Sequence, residues 1–352
     1  MLQDDVIHRT GSFRRISGAP SRGFPIAPPV EVPEASVQAL IRRWFPDARP
    51  RIERMGSGGS TPVYRVTFAD RDAFLRLGEE PGERRDAEVR VHELMCEAGV
   101  PVPRILRWEP EPPELDRSAA LTSRMPGRSI EELDLAAAEL VAIMRAAGRD
   151  LARINAVPVC GYGWVDFVRG ADRQLVAEHS TRAEWIAEYL AATATVTASG
   201  LLDSAAHPRL TDAMRIWAAI PDRAWSSLAH GDADASHVYA DSETHAYTGF
   251  IDFGEIRGAD PLYDLGHAWI HTGDAFSVEG FDALLAGYRE RANLPDNWQG
   301  QLRLQATAIA TRALAIQLGR PPNAYRRFLS ERLHTLLGDA PPPPMIPWRR
   351  TL

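Results

Sequence analysis

The stretch Ala229-His230-Gly231-Asp232-Ala233-Asp234-Ala235-Ser236-His237-Val238-Tyr239, followed by Phe250-Ile251-Asp252-Phe253-Gly254, decides how this chain reads. Asp232 stands on a sharp turn after an apolar approach. Asp252 closes a short strand, Gly249 to Ile251, in front of a glycine. A hairpin between them brings both carboxylates to one end of a small sheet. There, one carboxylate can accept a proton from a substrate hydroxyl while the other holds a metal ion against nucleotide phosphates, the division of labour that phosphoryl transfer uses.

Outward from this stretch the chain shows two patterns. Pro33-Glu34-Ala35-Ser36 opens a helix that runs to Phe45 and stops at Pro46. Strand-like segments follow at Arg51 to Met55, Val63 to Phe68 and Ala73 to Leu77, then a helix from Glu83 to Ala98, then strands at Ile105 to Trp108 and Ala119 to Met125. After Pro126-Gly127 the periodicity becomes helical, over Glu132 to Asn155, Arg182 to Ala194, Pro261 to His271, Val278 to Ala292, Trp298 to Leu318 and Asn323 to Leu337. The expectation is an α+β, bilobal chain. Residues 33–122 make a small sheet-bearing lobe, 123–127 a hinge and 128–340 a helical lobe, while 1–32 and the Pro-rich 341–352 read as tails without independent structure.

Composition bounds the function. With 352 residues, 45% hydrophobic and 25% charged, the chain has enough apolar material for two modest cores. A formal charge of −7 argues against a nucleic acid or an acidic membrane as partner, since such binding rests on basic patches. There is no lysine, so all 40 basic residues are arginine. Cys96 and Cys160, far apart in sequence, suggest reduced structural thiols and a cytoplasmic location. No apolar run approaches membrane-spanning length, and the start lacks a signal-peptide pattern.

A second candidate site is Gly56-Ser57-Gly58-Gly59-Ser60-Thr61, between two expected strands. Glycines permit close backbone approach, and successive amides with hydroxyls can cradle phosphates. The same residues also suit an ordinary hairpin turn. A Walker loop is excluded because it needs a lysine. Order supports the phosphate reading: glycine loop, a strand with the central cation Arg76, a helix bearing Glu88, a boundary, then the paired carboxylates, which is the order kinases use.

On these motifs the chain resembles the aminoglycoside phosphotransferase family from about Val32 to Leu337. His230-Gly231-Asp232 stands in the family's pattern of His-Gly-Asp, four residues, Asn. Ile251-Asp252-Phe253-Gly254-Glu255, continuing through Gly258-Ala259-Asp260-Pro261-Leu262-Tyr263-Asp264-Leu265, is similar to the family's run from Asp-Trp-Gly through Gly-Asp-Pro to Asp-Leu. Gly99-Val100-Pro101-Val102-Pro103 and Met125-Pro126-Gly127 are also family-like. The resemblance implies a protein-kinase-like fold, with a small β-sheet lobe carrying a regulatory-type helix and a larger, mostly helical lobe.

It also implies an ATP-dependent kinase of a small-molecule hydroxyl acceptor, with GTP as the alternative nucleotide and Mg2+ as the metal. Asp232 becomes the catalytic base or hydroxyl-orienting carboxylate and Asp252 a magnesium ligand. His230 braces the loop, and Asp260 and Asp264 are structural, accepting hydrogen bonds from the catalytic loop or a helix start. Gly56, Ser57, Gly58, Gly59 and Ser60 form the nucleotide loop, Arg76 contacts phosphate, and Glu88 pairs with Arg76. Ser123, Arg124 and Met125 match the linker that binds the base through its backbone. Monomer and homodimer are both open.

His237 is the departure, standing five residues after Asp232 where the family has a metal-ligating Asn. Magnesium prefers oxygen, whereas imidazole suits Mn2+, zinc and softer ions. Three readings stay open: His237 ligates directly with relaxed metal preference; Asp234 or a water fills the position while His237 contacts phosphate; or the chain binds nucleotide and catalyses poorly. Candidate acceptor-binding acids are Glu184, Glu188, Glu255 and Asp274, which would suit the ammonium groups of an aminoglycoside, and Gly161-Tyr162-Gly163-Trp164 is either part of the acceptor pocket or an aromatic turn. The family also holds kinases of macrolides, choline, homoserine and sugars, and fold does not select among them. Readings from other classes are an impaired nucleotide-binding protein and a metal-dependent hydrolase built on His230, Asp232, Asp234 and His237.

Overall fold

The computed structural model describes residues 32–55, 61–169, 173–221, 226–273 and 277–338. The chain divides into two compact units, the first taking in the residues up to Met125 together with Asp166–Val168, and the second Pro126–Val165 and Arg169 onward.

In the first unit, α1 (Glu34–Trp44) carries an acid in its first turn and Arg42 and Arg43 in its last, which complements the helix dipole. Its apolar stripe, Val37, Leu40, Ile41 and Trp44, is buried. The strands β1 (Arg51–Arg54), β2 (Val63–Thr67), β3 (Asp72–Leu77), β4 (Ile105–Glu109) and β5 (Ala119–Ser123) form an antiparallel sheet in the order β1-β2-β3-β5-β4. α2 (Asp86–Glu97) lies between β3 and β4 in sequence. Side chains alternate along a strand, so Ala73, Leu75 and Leu77 of β3 join the α1 stripe, Tyr64, Val66, Ala119 and Leu121 in one core. The same alternation sends Arg76 to the opposite face, where Glu88 of α2 meets it.

The second unit begins with β6 (Arg128–Ser129) and a 3-10 turn over Ile130–Glu132, and only then α3 (Ala137–Asn155). The helix starts later than the apolar spacing suggests because the Glu139 carboxylate accepts a hydrogen bond from the Ala136 amide at 2.7 Å and fixes the first turn there. The elements that follow are β7 (Pro158–Val159), β8 (Tyr162–Arg169), β9 (Gln174–His179), α4 (Arg182–Ala198), α5 (Ala206–Ala218), β10 (Ser226–Ala229), β11 (Val238–Ala240), β12 (Tyr247–Phe250), β13 (Arg257–Ala259), α6 (Tyr263–Ile270), α7 (Val278–Arg289), α8 (Trp298–Leu318) and α9 (Ala324–Leu337). One sheet runs β7-β10-β13-β8-β9 and a smaller one β12-β11-β6. α3 and α7 meet at backbone contact: a Cβ on Gly148 would lie 2.0 Å from the Leu284 carbonyl oxygen, and one on Gly287 1.9 Å from that of Arg145.

The sequence reading has no counterpart of β8, β9 or α5. Tyr162 to Trp164, read as an aromatic turn or pocket wall, belongs to β8, where Gly163 pairs with Gly258 and Trp164 with Arg257. Cys96 and Cys160 are exposed, so they are not core thiols. Among the described residues, no helix is long and apolar enough to cross a membrane.

Candidate active site

The site grows from the turn between β10 and β11. Gly231 has φ +87°, and a Cβ there would sit 1.9 Å from the Glu255 carbonyl oxygen, so only glycine makes this turn. The turn is gripped from below by one buried carboxylate. Asp264 accepts hydrogen bonds from the amides of His230 and Gly231, each at 2.9 Å, and from the Asn155 side chain at 2.7 Å. Burial raises the Asp264 carboxyl, while these three donors act against that shift. Asn155 donates also to the Leu228 carbonyl, tying α3 to β10.

His230 is fully buried, between Phe250 and Phe253. Its Nε2–H donates to the Ile251 carbonyl at 3.0 Å, and its Nδ1 accepts from the Asp232 amide at 3.4 Å. Burial, then the neighbouring His237, lowers its pKa to about 4, so the ring is neutral. With both nitrogens engaged it braces the turn and holds no metal. That removes the four-ligand hydrolase arrangement.

The β11–β12 register places Val238 opposite Phe250, and the Ile251 amide donates to the His237 carbonyl at 3.0 Å. Asp252 follows at φ +63°, a left-handed conformation that Asp tolerates better than most residues. One of its oxygens caps Gly254 at 3.3 Å, and the other lies 3.7 Å from His237 Nε2. The opposite ring nitrogen of His237, Nδ1, donates to the Asp232 carbonyl at 2.7 Å and lies 3.6 Å from the Asp232 carboxylate. Thus the hairpin gathers Asp232, His237 and Asp252.

Asp234 is buried, and its Oδ1 accepts from the amide and hydroxyl of Ser236, so it caps its own loop. Burial raises the Asp232 carboxyl, and Asp234 and Asp252 add to that against the pull of His237. Burial alone would lower the His237 imidazole, but the three carboxylates outweigh it and raise it. Three acids around one imidazole leave an excess of negative charge that a bound cation would balance.

This donor set fits a divalent ion held by Asp252 and His237, provided the ion displaces the Nε2 proton that the surrounding carboxylates favour. A histidine that binds metal through one nitrogen is commonly oriented by donating from the other to a backbone carbonyl, which is how His237 is held.

Two further residues complete the surroundings. Arg257 is buried, donates to the Glu255 carbonyl and to the Tyr263 hydroxyl at 2.8 Å, and lies over the Trp164 ring at 4.4 Å. His267 of α6 places Nε2 3.5 Å from Asp232 Oδ1, and burial lowers its pKa. Sequence reasoning missed both. A signal for His267 existed: it lies three residues after Asp264 and so shares its helix face.

Asp260 is structural in a way the resemblance did not imply. Among the described residues its carboxylate takes no loop amide; it pairs with the buried Arg182 at 3.0 Å, which also donates to the Trp217 and Ile220 carbonyls at the end of α5. The proposed acceptor acids are engaged as well. Glu184 and Thr181 cap the start of α4 reciprocally. Glu188 meets His179 at 3.0 Å and Arg312 at 3.4 Å, and Glu255 pairs with Arg257 at 3.1 Å. Asp274 lies outside the described residues.

In the first unit, Arg76 Nε is 3.1 Å from Glu88. Arg85, not singled out by sequence, binds the other Glu88 oxygen at 2.5 Å and the Thr61 hydroxyl at 3.0 Å. Burial would raise the Glu88 carboxyl, but Arg76 and Arg85 outweigh it and hold it down to about 2. Ser123 exchanges hydrogen bonds with Arg104 through both amide and hydroxyl, and Met125 is buried. Gly56, Ser57, Gly58, Gly59 and Ser60 lie outside the described residues.

Residues 51–300 match the sequence model of the phosphotransferase enzyme family. No curated protein matches the sequence. Among solved structures, the apo form of a thermostable mutant of the aminoglycoside phosphotransferase APH(4)-Ia aligns with a TM-score of 0.64 at 17% identity, covering 85% of this chain and 97% of that one. A ternary complex of another mutant of that enzyme with ADP and hygromycin B gives 0.63 at 17% identity, over 86% and 98%. The GDP and kanamycin complex of APH(2")-IIIa gives 0.56 at 17%, over 86% and 97%. At such identity the likeness establishes a shared protein-kinase-like fold.

Proposed function

Since the chain belongs to the phosphotransferase enzyme family, whose members transfer phosphate to hydroxyl acceptors, we propose that it moves the γ-phosphoryl group of ATP onto a hydroxyl of an aminoglycoside-type compound. The observation that carries this reading is the gathering of Asp232 and Asp252 on either side of His237, at 3.6 and 3.7 Å, on a turn locked by Asp264. Solved relatives in complex with ADP and hygromycin B, and with GDP and kanamycin, support a nucleotide and a polyhydroxylated acceptor, with GTP as the alternative donor.

In this mechanism Asp232 orients the acceptor hydroxyl and takes its proton as the new P–O bond forms and the bond from the γ-phosphorus to the bridging oxygen breaks, with ADP as the leaving group. A hydroxyl is poorly acidic, so orientation outweighs early proton removal. Asp252 and His237 would hold a divalent ion, which when bound would neutralise charge on the nucleotide phosphates. Arg76, oriented by Glu88, contributes a permanent positive charge toward phosphate. The glycine-rich residues 56–60 cradle the phosphates, and the backbone near Met125 meets the base.

Mass spectrometry of a panel containing hygromycin B, kanamycin, a macrolide, choline, homoserine and a hexose, each incubated with the protein and Mg-ATP, tests the reading. An added phosphate on an aminoglycoside supports it. Phosphate on another member reassigns the acceptor, and ATP binding with no product across the panel speaks against catalysis. For the metal, titration calorimetry with Mg2+ and Mn2+ should show the parent favouring Mn2+ by about tenfold or more over His237→Asn, following the softness of imidazole. An unchanged preference would rule out direct ligation by His237.

A further inference from the structure

α6 touches the catalytic turn twice along one face. Asp264 holds the backbone of His230 and Gly231, and one helical turn later His267 reaches the Asp232 side chain itself. His267 is 5% exposed, and its Nδ1 is buried with no hydrogen-bond partner among the described residues. That decides the tautomer. A proton on Nδ1 would be a buried, unsatisfied donor and would set the Nε2 lone pair against a carboxylate; a proton on Nε2 faces an acceptor and leaves only a lone pair unmatched. The other imidazole beside Asp232 does not compete, because His237 Nδ1–H is directed at the Asp232 carbonyl at 2.7 Å. The two carboxylate oxygens are therefore distinguished: Oδ1 lies 3.5 Å from His267 Nε2, and Oδ2 lies on the His237 side.

Building on the phosphotransferase reading above, we propose that His267 is a positioning residue for the Asp232 carboxylate, its Nε2–H holding Oδ1 so that Oδ2 is presented to the acceptor hydroxyl. The competing account is a core histidine that merely packs against His271, whose ring is 4.9 Å away. Two substitutions separate the accounts. Gln carries an N–H at nearly the reach of Nε2, and Leu fills similar space with no donor.

Turnover of Mg-ATP with water as acceptor is measured for the parent, His267→Leu and His267→Gln, with thermal midpoints alongside. The expected result is a loss of about tenfold or more in kcat for Leu with the KM for ATP within about twofold, and recovery of most of the rate in Gln, as misplacement of a reacting group predicts. Equal rates in the Leu and Gln variants would overturn the proposal. Independently of any acceptor, 15N spectra of the histidine rings, with His267→Gln identifying the signal, should show the Nε2-protonated tautomer; the Nδ1-protonated form contradicts the contact. Asp232→Ala serves as control: if it turns over ATP like the parent, the phosphotransferase reading of the site fails, while the tautomer still decides the His267 contact.

Discussion

Arg76 and Glu88 in the first unit and Asp232 and Asp252 in the second are all largely shielded charges of the candidate site, yet they are held by different forces. Glu88 is placed by opposite charge, with a guanidinium on each oxygen, and its carboxyl is held down to about 2. Asp232 is placed by backbone shape. Its position depends on a left-handed glycine, a left-handed aspartate and a buried carboxylate that binds two consecutive amides. Its own carboxyl is pushed up rather than down. A charge-built site therefore answers to pH, and a shape-built site answers to a single added methyl group.

The largest effect expected from this contrast is in the turn. Gly231→Ala puts a Cβ 1.9 Å from the Glu255 carbonyl oxygen at φ +87°, so it should cost at least about 3 kcal/mol in denaturant unfolding and abolish transfer. A variant as stable as the parent would mean the turn is not shape-limited.

Next in size is the acid response of the charge-built pair. The carboxyl of Glu88 is depressed on folding, so its contribution is full above the unfolded value near 4.5 and fades as pH falls toward 2. That contribution is about 3 kcal/mol, so Glu88→Gln should be clearly less stable than the parent at pH 7, with the gap narrowing by pH 3. A gap that does not change with pH would show that packing, not charge, holds Glu88.

The smallest effect lies away from both sites. Thr181→Ala removes one half of the cap on α4 and should cost about 1 kcal/mol by thermal unfolding. Glu184→Gln should leave the KM for the acceptor within about twofold, because Glu184 serves its own helix start. A large KM change there would return Glu184 to the acceptor site.

How much of this was legible follows from range. Local chemistry reads directly: the hairpin joining Asp232 to Asp252, the α1 stripe, the alternation that isolates Arg76, and the family pattern that marks Asp264. What escaped depends on partners distant in sequence. Arg257 is defined by Trp164 and Tyr263, Asp260 by Arg182, and β8 by its pairing with β13. Strand formation in such segments is decided by neighbours rather than by intrinsic preference. The partners of the candidate acceptor acids escaped for a related reason, since a carboxylate in sequence does not announce whether an arginine already meets it. Glu188 and Glu255 both meet one.

The central claim is that Asp232 serves phosphoryl transfer on a turn that exists for it. Single-turnover transfer from Mg-ATP to the acceptor found by the panel, compared between the parent and Asp232→Ala at matched nucleotide occupancy, tests that most directly. A fall of about 100-fold or more with ATP affinity kept within about twofold is the expected result. Transfer within twofold of the parent would contradict it.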